Sequence, residues 1–154
     1  MNKKFVMVGI IVLLLAVGLS GCLESEINDN EEFKQWLEEK NEFFSNMNNL
    51  ITNTAENYLS GIYSVDTYYE KLEMFGRAQK VYTEGCINQI ENFTLSGKWN
   101  AVSVPYLEFL IDSYWTGYYY ELGGKNKSDY NIGLGAKYTQ KAGEHLMEVN
   151  ELLD

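Results

Sequence analysis

The sequence predicts an all-α fold, an antiparallel up-down four-helix bundle behind a separate apolar N-terminus. No stretch sustains the alternation of apolar and polar residues that a half-buried strand needs. Apolar residues instead recur at helical spacing in four stretches of about 25–30 residues, a length at the long end for globular helices. Polar breaks near residues 59–64, 94–98 and 123–128 separate them, and the chain has a single proline, Pro105. Short links between long amphipathic helices favour antiparallel neighbours, which is why the bundle is expected to run up and down.

The N-terminus stands apart. Lys3 and Lys4 precede Phe5 to Leu19, in which every residue is apolar or glycine. As a helix this run reaches roughly 22 Å, short of a hydrocarbon core of about 30 Å, so it fits an export signal better than a stable span. It ends on Leu19-Ser20-Gly21-Cys22. These four residues, with the apolar run and the basic start, resemble the lipobox of bacterial and archaeal membrane lipoprotein precursors. The resemblance covers residues 1–22 only. It implies cleavage before Cys22, a lipid on the Cys22 thiol, and a mature protein held on the outer, extracytoplasmic face of the cell membrane. The expected organisation is a signal peptide at 1–21, a lipidated acidic tether at 22–30 and a helical bundle domain at 31–154.

Splitting the chain at Cys22 sharpens its charge. The whole sequence carries −10, but without Lys3 and Lys4 the remainder has 10 basic residues against 22 acids, a net −12. Nucleic-acid binding is therefore not expected, because counterion release needs a basic face and Arg77 is the only arginine. Two cysteines, one of them at the lipidation position, do not make a disulfide framework.

In the first helix, Phe33, Trp36, Leu37, Phe44, Met47, Ile51, Ala55 and Tyr58 share one arc, while Glu31, Glu38, Glu42 and Glu56 lie opposite. The second helix is expected to start at the cap residues Ser64 and Asp66 and to bury Tyr68, Leu72, Phe75, Tyr82, Cys86, Ile90 and Phe93. In the third, Pro105 either opens a helix near Ser103 or sits inside a longer one beginning near Ser96; Trp99 and Val102 extend the same face and favour the longer helix. This helix is unusually apolar, with only Glu108, Asp112 and Thr116 as a narrow polar arc. The fourth follows the segment GGKNKSD and places Leu134, Tyr138, Ala142, His145, Val149 and Leu152 on one side.

Catalytic and cofactor chemistry finds little material. A di-iron bundle needs Glu-x-x-His pairs, but the only histidine, His145, has Ala142 three residues before it. The spacings for a haem attachment, an EF-hand, a zinc cysteine pair or a phosphate loop are missing, GLGAKYT at 133–139 included. Cys86 lies in an apolar stripe, as a small core residue would. The expectation is no metal, no cofactor and no enzyme activity, with an enzyme of unfamiliar type as the remotest alternative.

Three binding features remain. Trp115, Tyr118 and Tyr119 exceed what one bundle face can bury and form a candidate partner surface for an envelope protein or glycan. Lys40, Gln79, Ser113 and His145 fall at a similar height in the four helices, within roughly 6 Å, and could form an interior polar layer that holds a small ligand. Asn92 and Asn126 begin N-x-[ST] triplets and are candidate glycosylation positions in an exported domain. The sequence thus predicts a lipid-anchored extracytoplasmic binding or assembly module, with a solute-sensing bundle as the alternative.

Overall fold

A computed structural model describes residues 27–154, which fold as an all-helical bundle: α1 (Ile27–Leu59), α2 (Val65–Ile90), α3 (Gly97–Asn126) and α4 (Asp129–Leu153). The expected signal peptide, the lipobox-like residues and Cys22 lie outside the described residues. Among the described residues no helix is long and apolar enough to cross a membrane.

Local chemistry sets the ends. Ser64 caps α2 by accepting the Thr67 N–H at 3.1 Å, and Ser128 caps α4 by accepting that of Asn131. The α3 terminus closes through Lys127 in the left-handed region (φ 50°), with the Ser128 N–H returning to the Gly123 carbonyl at 2.9 Å. Ser96 precedes α3 but spends its hydroxyl on Asn30, whose Nδ2 donates to it at 3.2 Å; the Thr94 N–H donates to Asp29. Asp29 and Asn30 therefore belong to the folded body. The helix beginning at Ile27 replaces the last four residues of the expected 22–30 tether, because its first turn docks on the α2–α3 loop.

The break expected at 123–128 also shrinks. Gly123 and Gly124 are buried inside α3, leaving Lys127 and Ser128 as the connection. Their role is close packing. A Cβ on Gly124 would run into the Tyr69 carbonyl and Glu73 amide of α2, and one on Gly117 would come within 2.6 Å of the Lys80 nitrogen. The reciprocal position on α2 is Gly76, where a Cβ would meet the Gly117 carbonyl at 2.6 Å. Helices α2 and α3 thus touch backbone to backbone at one end of the bundle. Glu121 locks the crossing with Lys80 and with Arg77 at 3.2 Å. Although burial pushes its carboxyl upward, the hydrogen bonds from Lys80 and Arg77 outweigh this and hold it below the ordinary glutamate range.

At the other end the packing is aromatic. Phe33 meets Phe93 and Trp99 edge-on, Trp36 meets Tyr106, and Phe44 meets Phe109 with centroids 4.9 Å apart. These rings surround Leu37, Cys86, Ile90, Val102, Leu110 and Val149, and Tyr106 is completely buried. The Phe33, Trp36, Leu37 and Phe44 part of the α1 arc read from the sequence makes this contact; Met47 is buried farther along, Ile51 and Ala55 are half-buried, and Tyr58 ends half out of the bundle, stacked on Tyr68 at 4.4 Å. Leu152, expected inside, is exposed, and Leu153 packs on the core in its place.

Helix α3 continues through Pro105, which is buried eight residues into it. It packs broadly against both α2 and α4 and so buries two faces. This corrects the polar arc expected at its surface: Glu108 is exposed, but Asp112 and Thr116 are buried, Asp112 facing His145 of α4, while Val104 and Ile111 face solvent. Thr116 satisfies its hydroxyl on the Asp112 carbonyl at 3.0 Å.

Two measurements check this packing. Replacing Gly76, Gly117 or Gly124 by alanine should cost about 3 kcal/mol each, since the obstructing atoms are largely backbone. Gly85→Ala and Gly133→Ala, where nothing lies within 4 Å, should instead stabilise by about 0.5–1 kcal/mol in thermal melts. Because the Glu121 carboxyl is depressed, its contribution is complete above the unfolded value of about 4.3 and is lost as pH falls through the folded value. Acid titration should therefore destabilise the wild type more steeply than Glu121→Gln below about pH 4.5.

Candidate functional site

The α3–α4 seam gathers the chemistry. Along α3, Ile111, Trp115 and Tyr118 follow helical spacing and are exposed, Trp115 by 37% and Tyr118 by 36%. Tyr119 is half-buried and stacks on Tyr138 of α4 with centroids 5.5 Å apart and planes 13° from parallel. Trp115 lies 5.5 Å from Tyr118, edge-on, and 6.2 Å from Tyr138. Lys141 places its ammonium 5.1 Å over the Tyr138 ring. The three aromatics singled out from the sequence thus form one continuous cluster, to which the fold adds Tyr138, Tyr114 and Lys141. Tyr138 escaped sequence reasoning because its place in the α4 stripe assigned it to the core.

The interior layer does not form as expected. Gln79 and Ser113 do meet, buried, with the Gln79 side-chain amide donating through Nε2 to the Ser113 backbone carbonyl at 3.1 Å. Lys40 turns instead between α1 and α2, where it pairs with Glu39 at 2.7 Å and sits 5.8 Å over the Tyr82 ring. Burial lowers its pKa, but the Glu39 hydrogen bond and the Tyr82 phenol outweigh that and leave the ammonium raised. His145 lies in the α3–α4 seam. The four residues therefore occupy three different helix contacts, because equal height along a bundle does not fix which neighbour a side chain faces.

His145 has its own surroundings. Its Nδ1 is buried without a hydrogen-bond partner, 3.2 Å from a Glu108 carboxylate oxygen and 3.9 Å from one of Glu148. Its Nε2 is 3.4 Å from the Asp112 carboxylate. Among the described residues, Glu108, His145 and Glu148 are a set of possible metal ligands, with one ligand atom from each lying within 4.8 Å of the others. Sequence reasoning looked for an acid three residues before the histidine; Glu148 stands three residues after it, and Glu108 arrives from another helix.

Asn92 and Asn126 are both exposed, Asn92 in the turn after α2 and Asn126 as the last residue of α3. The hydroxyl of Ser128, two residues after Asn126, is held in the α4 cap. Cys86 is buried in the core, and burial pushes its thiol up to about 11, which keeps it protonated at neutral pH.

Compared with known proteins, the chain matches no family model, no curated protein and no solved structure.

The Cys86 environment has a direct check. In a Cys22→Ala variant, a thiol reagent at about pH 8 should label Cys86 only after denaturation, since both burial and the raised pKa oppose attack. Rapid stoichiometric labelling of the native protein would contradict its place in the core.

Proposed function

We propose that the protein is a lipid-anchored binding module of the extracytoplasmic surface, held to the membrane through Cys22 and engaging a protein partner through the exposed face of α3. The observation that carries this reading is the semi-exposed cluster of Ile111, Trp115, Tyr118, Tyr119 and Tyr138. Tryptophan and tyrosine dominate the energetics of protein interfaces, offering large rigid rings with polar tips. Their helical spacing along α3 suits an apolar partner segment laid beside that helix.

Geometry favours the same assignment. With α1 starting at Ile27, only four residues separate it from Cys22, five residue-to-residue steps that reach about 18 Å at most, so an anchored domain would sit close to the bilayer. Asp29 and Asn30 bind the α2–α3 loop, so in this reading that end of the bundle faces the anchor. Trp115, Tyr118 and Tyr119 lie in the opposite half of α3, directed away from it. The net charge of −12 after residue 21 adds repulsion from anionic headgroups.

The test has two arms. Cys22→Ala should release the protein from the membrane fraction, whereas continued firm attachment would favour an uncleaved apolar anchor. A photo-crosslinking residue at Tyr118 should trap one defined protein, and Trp115→Ala should weaken that capture at least tenfold without changing the melting temperature. Equal capture from Met74, an exposed apolar position on α2, would count against a specific α3 surface.

A further inference from the structure

We infer that Glu108, His145 and Glu148 form a binding site for a first-row divalent transition cation of the Zn2+ class at the α3–α4 seam. The site is independent of the partner surface. One imidazole nitrogen and two carboxylates are a donor set suited to zinc, cobalt or nickel, whereas calcium takes six to eight oxygens.

The spacing agrees with the donors. Metal–ligand bonds of about 2.0–2.1 Å at tetrahedral angles put neighbouring ligand atoms roughly 3.3 Å apart. The Nδ1 atom of His145 lies 3.2 Å from Glu108 Oε2 and 3.9 Å from Glu148 Oε2, and the three ligand atoms fit within 4.8 Å. Closing the set requires only side-chain torsions of two exposed glutamates. His145 and Glu148 are three residues apart and share one face of α4, so the backbone already holds two of the three ligands together.

Two further observations point to a cation. Nδ1 is buried and makes no hydrogen bond, although two acceptors lie near it. A protonated Nδ1 in line with either carboxylate would have satisfied both groups. Asp112 stands on the other side of the ring with a carboxylate oxygen 3.4 Å from Nε2, placed to keep the proton on that nitrogen when Nδ1 takes a cation. Among the described residues Glu108, Asp112 and Glu148 have no lysine or arginine ion pair, so three acids converge on one imidazole. A divalent ion would offset that repulsion, and its fourth position would open to solvent beside the exposed Glu108 and Glu148.

The experiment is a calorimetric titration of the purified, tag-free full-length protein in detergent with ZnCl2, repeated with CoCl2 and CaCl2. Zn2+ and Co2+ should bind one to one, and Zn2+ should raise the melting temperature. His145→Gln should abolish this binding, Glu148→Gln should weaken it at least tenfold, and Asp112→Asn should weaken it about 10–100-fold as an orienting group. Glu148 is exposed, so its variant keeps the comparison valid if the histidine variant unfolds. Absence of Zn2+ binding by the wild type, equal affinity in folded His145→Gln and Glu148→Gln variants, or equal affinity for Ca2+ would each overturn the site.

Discussion

The backbone contact between α2 and α3 is the constraint on which the rest of the molecule depends. Gly76, Gly117 and Gly124 remove the side chains that would keep the two helices a normal distance apart. Once α2 and α3 touch there, the rotation of α3 is fixed along its length, because side chains on one helix cannot turn independently of its backbone. Glu121, reaching Arg77 and Lys80 across the crossing, adds an ionic lock at the same height. The opposite end compensates with volume: Phe33, Trp36, Phe44, Trp99 and Tyr106 fill the space with edge-on rings.

Fixing α3 decides what each of its faces meets. The glycine row goes to α2, and the row containing Asp112 and Gly123 goes to α4. The remaining arc, with Val104, Ile111, Trp115 and Tyr118, is left to solvent. The proposed partner surface and the proposed cation site are thus two products of one rotation. A shift of α3 by one residue, about 100°, would bury Trp115 and withdraw Asp112 from His145.

Much of this was legible in the sequence. Four helices, the Ser64 cap, the passage of α3 through Pro105 and the α1 arc follow from periodicity and cap chemistry, which act locally. The excess of aromatics on α3 also identified the exposed cluster, because one bundle face cannot bury them all. What the residues alone did not reveal depends on distance between helices. Gly123 and Gly124 looked like a loop because glycine breaks helices in isolation, and only the approach of α2 and α4 explains their burial. Asp112 looked solvated, and its partner His145 lies 33 positions away in the chain. The height matching that grouped Lys40 with His145 ignored rotation about each helix axis, the coordinate that the glycine contact sets.

That contact can be observed directly by nuclear Overhauser spectroscopy on the isotope-labelled protein. The account predicts strong backbone-to-backbone signals from the Gly117 α-protons to the Lys80 amide and from the Gly124 α-protons to the Glu73 amide. Finding α2 and α3 joined only by side-chain signals, with none between these backbones, would contradict it.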